Sequence, residues 1–490
     1  MKRFVSVLAL VLGIAAVAGC SKAKGPTTTF SESSDAAFQA LQNLFYAGKG
    51  WNMCAPSPCT IPFIDFDWGA DSMTDALYMR WSFSKDASIV PMMAALNEFG
   101  PTYTTCTAQS CPLGWSDVPM WDAIAAAHEY QVTGNAQALS RSKAAFNFVD
   151  SATQFHLGAC PAVNYQMAQG GTNNLKTLET DSNYIKAALL LNELDPQGGY
   201  LAKAVAQYAI VRPVYLDPEV PLYTVWVVDD GQSCSQIPRR FYASVNGNMI
   251  WSGVTLAAAT GQVSYLNDAI ATAEAINQNL NDAAGFYADL QSDDDVEEPL
   301  IEGMYLLATQ GKQAFAQDWL LTNARALASD RTSLGAYGRF FDGPPPPADV
   351  SEWQDNGGFT LAFVAGGLAP TGIASDGSDP WTGAVSVPDD LTSFPSSIQF
   401  KGKAIAVFGT LGENCCTVGH SRVFIDGTET FDQRGIWQNE VNNLQPLPNS
   451  ILFAWRWPES GTHTIQFQPG VMNPKEGGPF LHVQSYSYVP

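Results

Sequence analysis

The feature that most constrains this chain is a recurring unit of two helices joined by a tight turn, found from about Asp35 to Leu368. The turns fall at residues 83–88, 132–139, 195–201, 259–266 and 308–315, and an Ala-rich helix follows each. They repeat every 50 to 64 residues or so, a spacing that suits two helices and one long loop. Glycine is the usual left-handed stop for the first helix of such a pair.

A single helical hairpin cannot bury its apolar face alone, so five or six of them must share one core. The segment Trp121, Ile124, Ala125, His128 and Val132 places aromatic and apolar residues on one side of an inner helix. The arrangement that buries all these faces is a ring of inner helices within a ring of outer ones, an all-α toroid. Long loops at one end of the ring would build a groove.

The N-terminus predicts a lipoprotein signal peptide over residues 1–19. Lys2 and Arg3 precede an apolar run, and the small residues Ala18 and Gly19 lead into Cys20. The sequence around Cys20 resembles a bacterial lipobox, which implies lipidation of Cys20 and a cell-envelope location, with the outer membrane favoured. Residues 20–34 would then be a tether, and the membrane would be contacted through the lipid alone.

The remaining eight cysteines suit an oxidising compartment. Cys54 and Cys59, and likewise Cys106 and Cys111, stand close enough in sequence for local disulfides. Cys160 with Cys234 is the predicted long-range pair.

The C-terminal third changes character after a Gly/Pro/Ser-rich linker over residues 371–385. Residues 386–490 carry alternating strand patterns and an Asp-Gly hairpin signal, which predict a β-sandwich. The pattern looks like the galactose-binding-like jelly rolls of carbohydrate-active enzymes. Trp437, Trp455 and Trp457 would form either a sugar platform of a carbohydrate-binding module or part of the sandwich core.

The charge balance bears on the ligand. Acidic residues number 47 against 25 basic ones, for a net charge of -22, which argues against nucleic acid or anionic lipid as a partner and suits a neutral glycan. No cysteine or histidine pattern suggests a metal, and we expect no cofactor and a monomer. The acidic run from Asp293 to Glu298 is predicted to be a solvated loop, and His128 a core histidine.

Asp117 is the main candidate for chemistry. It stands between Trp115-Ser116 and the Val118-Pro119 start of a helix, where an aspartate is either a catalytic acid or an ordinary N-cap.

Three segments resemble glycoside hydrolase family 76, the α-1,6-mannanases. They are Trp115-Ser116-Asp117 followed by Thr133-Gly134-Asn135, the helix at 176–191, and the Tyr242-Asn246-Gly247 pattern within 241–261. The resemblance implies an (α/α)6 toroid over residues 35–370 and a mannose-containing substrate. It places Asp117 at the second of the family's two consecutive catalytic aspartates, and Ser116 at the first.

A serine at residue 116 departs from the family pattern, because glycoside hydrolysis needs two carboxyl groups. Either another carboxylate activates water, with Asp67, Asp71, Glu179 and Asp181 as candidates, or the protein binds glycan without cleaving it, or Asp122 is the relevant residue. We take Asp117, Asp67 and Asp181 as catalytic candidates. The predicted substrate-binding residues are Trp68, Asp71, Trp115, Ser116, Tyr242 and Asn246.

The sequence therefore predicts a surface-anchored glycoside hydrolase acting on α-mannan or a related polysaccharide. The alternative is a non-catalytic glycan-binding lipoprotein.

Overall fold

The computed structural model describes residues 26–56, 64–65, 68–96, 116–151, 159–160, 175–288, 296–347, 349–411, 421–430, 435–436, 446–469 and 481–490. The predictions for Cys20, Cys59, Asp67, Cys106, Cys111, Trp115 and Trp437 lie outside these residues. Within them, no helix combines the length and the hydrophobicity that crossing a membrane requires.

The described residues form twelve helices in the toroid region. They are α1 (Phe30–Leu44), α2 (Trp68–Ser84), α3 (Ile89–Leu96), α4 (Val118–Thr133), α5 (Ala136–Ser151), α6 (Leu178–Leu194), α7 (Tyr200–Tyr215), α8 (Ala243–Thr260), α9 (Val263–Asn279), α10 (Glu298–Thr309), α11 (Ala314–Leu327) and α12 (Glu352–Leu368). The even-numbered helices are buried on most sides and each contacts the next, with α12 returning to α2. They form a closed inner ring, and the odd-numbered helices pack outside it. The predicted α/α toroid is confirmed.

Short turns connect each inner helix to the outer helix that follows. Gly134 (φ 70°) and Gly261 (φ 73°) end α4 and α8 in the left-handed conformation, as predicted for these turns. Two other turns use lysines with positive φ, Lys85 (φ 50°) and Lys312 (φ 57°). Because the turns are short, the inner helices all run in the same direction and begin at the same end of the ring. We call that end, formed by the first turns of the inner helices, the mouth.

Four outer helices, α1, α7, α9 and α11, are followed by a tight loop that closes on a buried aromatic residue. The four aromatic residues are Trp51, Tyr223, Tyr287 and Tyr337. Each of these aromatic residues is hydrogen-bonded to a polar side chain of a helix. The Trp51 indole donates to Thr74 Oγ1 (3.2 Å). The backbone N–H groups of Tyr223, Tyr287 and Tyr337 donate to Oδ1 of Asn246 (2.9 Å), Asn323 (2.9 Å) and Asp355 (2.8 Å), respectively. The repeat therefore extends beyond the helices into the loops, which these contacts fix at the mouth.

Glycines allow α8 and α10 to cross closely. A Cβ added at Gly247 would lie 2.2 Å from the Leu300 backbone nitrogen, and one at Gly303 would lie 2.5 Å from the Gly247 carbonyl oxygen. A glycine is therefore required at residue 247, which is part of the family 76 resemblance, because no larger residue fits between these helices.

Within the described part of the chain, nine short strands accompany the toroid. They are β1 (Thr28–Thr29), β2 (Trp51–Asn52), β3 (Cys54–Ala55), β4 (Ile64–Asp65), β5 (Leu175–Thr177), β6 (Trp226–Asp229), β7 (Cys234–Gln236), β8 (Val350–Ser351) and β9 (Ile373–Ser375). β1 pairs with β9, so the segment predicted as a linker is joined to the start of the toroid. Trp381 of the same segment is buried and donates to the Asp342 carbonyl (2.9 Å).

The C-terminal region is antiparallel β-structure. Its strands are β10 (Val385–Leu391), β11 (Ser396–Leu411), β12 (Ser421–Ile425), β13 (Thr428–Glu429), β14 (Gly435–Ile436), β15 (Leu447–Pro469) and β16 (Val483–Val489). They form one connected sheet in the order β10-β16-β11-β15-β12-β13, with β14 on β12. The predicted Asp-Gly turn joins β12 to β13, with Asp426 and Gly427 both at positive φ. Trp455 and Trp457 pack half-buried against the core of this sheet.

Arg456 docks the sheet onto the toroid. Its backbone N–H donates to Asp282 Oδ2 (3.0 Å), and its guanidinium lies 4.9 Å from the Phe286 ring and 3.9 Å from Asp342 Oδ2. Burial and the neighbouring Asp282 charge raise the pKa of Asp342 well above its usual range. Asp342 therefore keeps its proton in the folded protein.

The predicted Cys160–Cys234 disulfide is confirmed, with a Cα–Cα distance of 4.9 Å. Cys54 is also disulfide-bonded. Next to Cys160, Asp229 accepts hydrogen bonds from the Ala159 and Cys160 N–H groups and pairs with the buried Lys176 (3.0 Å). These links join β5, β6 and β7 into one wall at the mouth.

We expect Asn246→Ala to lower the free energy of unfolding by about 2 to 4 kcal/mol, because it leaves the Tyr223 N–H and C=O buried without their partner. Asn279→Ala is the matched control, since Asn279 bonds only a carbonyl of its own helix, half-buried. Urea unfolding measures both. Equal effects of the two substitutions would contradict the role of Asn246 as a loop clamp.

We expect Asp342→Asn to flatten the pH dependence of stability. Wild-type Asp342 stays protonated in the folded state while the unfolded chain loses that proton, so its contribution to stability declines as the pH rises above the usual aspartate range. Above the usual aspartate pKa, the unfolding free energy should fall less steeply with rising pH in the variant, by up to about 1.4 kcal/mol per pH unit. Asp318→Asn, on the exposed side of α11, should keep the wild-type slope; an unchanged slope in Asp342→Asn would refute the assignment.

Candidate functional site

Three tryptophans from three inner helices meet at the mouth. Trp68 at the start of α2 has its ring centroid 4.1 Å from that of Trp353 on α12 and 6.3 Å from that of Trp121 on α4. Trp121 and Trp353 are buried, with Val296 beside them, whereas Trp68 is half-buried. Trp68 therefore offers the accessible indole surface of the group, and its role in sugar stacking stays a prediction. Trp121 packs in the buried part of the group.

Trp353 was not singled out by sequence reasoning. It follows Ser351, which begins α12 with a capping box completed by Gln354. That capping box marks the start of an inner helix. It could have identified Trp353 as a residue of the mouth, because the first turn of every inner helix lies there.

Asp117 lies at the mouth immediately before α4. Its backbone is helical (φ -76°, ψ -36°), and its side chain makes no capping hydrogen bond to the described first turn of α4. Asp117 is 8% exposed, and it lies one helical turn before Trp121, on the same side of α4. The structure therefore does not support the interpretation of Asp117 as only an N-cap, and Asp117 lies one helical turn from Trp121, a member of the tryptophan group.

Ser116 is fully buried, and its hydroxyl lies 2.8 Å from Thr180 Oγ1 in the first turn of α6. The contact ties the start of α4 to the start of α6. A hydroxyl in this position supplies no second carboxyl group, so any second carboxylate must come from another element.

Glu179 is adjacent to Thr180 and half-buried at the mouth. Its Oε1 accepts a hydrogen bond from Ser244 Oγ in the first turn of α8 (3.2 Å). Together with the Ser116–Thr180 contact, this bond joins the first turns of three successive inner helices, α4, α6 and α8.

Asp71 also lies at the mouth. It is half-buried in the first turn of α2, one turn after Trp68 and on the same side of the helix. Tyr242 immediately precedes α8 and is 5% exposed, so little of its side chain is accessible.

Asp181 and Asn246 occupy places that differ from their predicted positions in the groove. Asp181 Oδ1 accepts from Gln207 Nε2 (2.5 Å) and Oδ2 from Tyr215 OH (3.4 Å), so it faces the outer helix α7. Asn246 is 1% exposed and fully engaged in holding Tyr223. Both predictions followed residue type and motif order, which do not reveal which side of an inner helix a residue occupies.

Asp122, the other candidate for chemistry, faces the outer ring. Its Oδ1 lies 3.2 Å from Arg141 Nε on α5, and Glu129 on the same helix lies 3.5 Å from Arg141 Nη2. These pairs join α4 to α5.

A layer of buried polar residues fills the ring beneath the mouth. Lys186 on α6 pairs with Glu302 on α10, two helices away around the ring, and His128 Nδ1 lies 2.7 Å from Asp75 Oδ1. His128 also stacks on Tyr78 at 3.8 Å, which confirms it as a satisfied core histidine. Amide contacts complete the layer, between Asn248 and Asn183 (2.6 Å) and between Asn356 and Ser72 (2.6 Å).

The prediction of a solvated acidic loop from Asp293 to Glu298 is wrong at the end of that run, because Glu297 and Glu298 are 1% and 0% exposed. Residues 293–295 lie outside the described residues. Burial, and then the charge of Glu302, raise the pKa of Glu298 well above its usual range, which favours its neutral form. Burial would lower the pKa of Lys186, but the charge of its ion-pair partner Glu302 raises it above its usual range, so Lys186 stays charged. Sequence reasoning missed that the last residue of this acidic run, Glu298, begins the inner helix α10.

No protein-family model matches the sequence, and no curated protein matches it either.

Solved structures match the helical region. An inactive variant of an α-1,6-mannanase from Salegentibacter sp. HEL1_6, in complex with α-1,6-mannotetrose, has a TM-score of 0.60 at 18% identity, and the match covers 69% of this chain and 99% of that one. A family 76 glycoside hydrolase (mannosidase) from Bacteroides thetaiotaomicron VPI-5482 has a TM-score of 0.58 at 14% identity, with 68% and 97% covered.

A cellobiose 2-epimerase from Bacillus thermoamylovorans B4167 also matches, with a TM-score of 0.51 at 12% identity, covering 68% of this chain and 98% of that one. At these identities the likeness shows the fold alone, and proteins named for different reactions share it. The helical region of this chain is an α/α toroid of the kind found in family 76 α-1,6-mannanases.

Proposed function

We propose that this chain is a glycoside hydrolase that cleaves α-mannan or a related mannose-containing polysaccharide, with Asp117 as the acid. The observation that carries the proposal is the position of Asp117, which lies at the mouth beside the tryptophan group without capping α4. A carboxyl group there can protonate a glycosidic oxygen while a sugar ring rests on Trp68.

Three further features support the proposal. The toroid matches those of α-1,6-mannanases, one of which is inactive when two neighbouring aspartates are replaced by alanine. The resemblance in sequence places Asp117 at the second of the family's paired aspartates. The strongly acidic chain also suits a neutral polymer better than an anionic one.

The polar layer beneath the mouth would support this chemistry by holding the inner helices in place. Lys186 and Glu302 link α6 to α10, and Asp75 with His128 links α2 to α4. The helices that carry Trp68, Asp117 and Glu179 are thereby fixed relative to one another, which general acid catalysis requires.

The cell-envelope location and the lipid on Cys20 stay predictions from the sequence, as does a carbohydrate-binding role for the C-terminal sheet.

We expect Asp117→Asn to reduce hydrolysis of α-1,6-linked mannan by about 10²- to 10⁴-fold, because the amide cannot donate the proton that the leaving oxygen needs. Affinity for α-1,6-mannotetraose should stay within a few-fold of wild type. Reducing-sugar release measures the first and isothermal titration the second. Asp122→Asn is the control, since Asp122 pairs with Arg141 away from the mouth. Full hydrolytic activity in Asp117→Asn would rule out the assignment.

Ser116 favours a second candidate function, the capture of glycan without cleavage. Its buried hydroxyl bonds Thr180 where the family pattern has a carboxylate. If capture is the function, wild type and Asp117→Asn bind mannotetraose equally and neither releases sugar. In that case we expect Ser116→Asp to gain measurable hydrolysis, assayed in the same way. Turnover by the wild-type protein excludes capture alone.

A further inference from the structure

We propose that Glu179 is the general base of the reaction, and that hydrolysis inverts the configuration at the anomeric carbon. This inference rests on the proposed glycosidase function and supplies the second carboxylate that Ser116 lacks.

The geometry at the start of α6 supports Glu179. The 2.8 Å contact between Ser116 and Thr180 brings the first turn of α6 against residue 116, and Glu179 is the neighbour of Thr180 in that turn. Glu179 is half-buried rather than enclosed, so its carboxylate can be reached from the mouth. Ser244 donates to Oε1, which orients the carboxylate.

Other described carboxyl groups near the mouth fit the role less well. Asp122 and Asp181 face the outer helices, and Glu298 is fully buried. Asp71, on α2, is the remaining half-buried competitor. The Ser116–Thr180 contact places α6, rather than α2, against residue 116, and the experiment below distinguishes the two carboxylates.

The role of Glu179 predicts the stereochemistry. Because residue 116 is a serine, no carboxylate there can form a covalent glycosyl-enzyme, so water activated by Glu179 attacks the anomeric carbon directly. One direct displacement inverts the configuration, whereas retention needs two successive displacements. Asp117 immediately precedes α4 and Glu179 lies in the first turn of α6, and these two inner helices contact each other.

The step balances without any cofactor. A water oxygen bonds to the anomeric carbon as that carbon's bond to the glycosidic oxygen breaks. Glu179 takes a proton from the water, and Asp117 gives its proton to the leaving oxygen. Exchange with solvent then restores both carboxyl groups.

The test compares wild type, Glu179→Gln and Glu193→Gln on α-1,6-linked mannan. Glu193 is the matched control, an exposed glutamate at the opposite end of the same helix. We expect Glu179→Gln to lose about 10³-fold in kcat with KM nearly unchanged, and to lose the acidic limb of its pH profile. Thermal unfolding checks that all three proteins fold, and Ser244→Ala should give a smaller loss of kcat.

Two readouts test the mechanism itself. Proton NMR of early products should show the β-anomer from wild type, and sodium azide should restore activity to Glu179→Gln with formation of a β-glycosyl azide. Retention of the α-anomer by wild type, or wild-type kcat in Glu179→Gln, would overturn the inference and leave the hydrolase proposal standing. Loss of the acidic limb in Asp71→Asn instead would assign the base to Asp71. Binding without any turnover by wild type would overturn both proposals.

Discussion

The ion pair between Lys186 and Glu302 is the interaction on which the site most depends. It joins α6 to α10, which are not neighbours in the inner ring, and so it spans the bore. Removing either partner would leave a buried charge uncompensated, which is far more costly than the pair itself is stabilising. The neighbouring neutral Glu298 limits the negative charge that collects there. A toroid with an apolar bore would pack equally well, so we interpret the polar bore as serving the mouth above it.

The mouth is assembled from equivalent positions in successive repeats. Trp68, Asp117, Glu179, Ser244 and Trp353 all lie in or just before the first turn of an inner helix. The chain segments between each outer helix and the next inner helix span many residues, and the described outer-helix loops are fixed by buried aromatic residues such as Tyr223 and Tyr337. The fold thus gathers residues from distant parts of the sequence at one end, and the repeat itself defines where a functional residue can be.

Much of the architecture could be predicted from the sequence, because the periodicity of apolar residues and the residues that form turns are local features of the chain. The Gly134 and Gly261 turns, the Asp-Gly hairpin at 426–427 and the Cys160–Cys234 pair are examples. The side of a helix on which a polar residue lies is set by its neighbours in space, and there local signals fail. Asp181 shares its helix with Glu179 yet faces α7, and Glu297 and Glu298, at the end of the acidic run, are buried. Trp353 was missed for the same reason, since its partner Trp68 is nearly the whole toroid away in sequence.

The contact that closes the ring lies between Asn356 on α12 and Ser72 on α2, residues 284 positions apart. β1 and β9 make the same closure at the outside of the toroid. Five hairpins can therefore form before the ring closes, and in the open ring groups such as Asp75 and Lys186 would face water. We expect ring closure to be a late, long-range step of folding, and the polar lining of the bore to keep the open ring soluble until α12 packs.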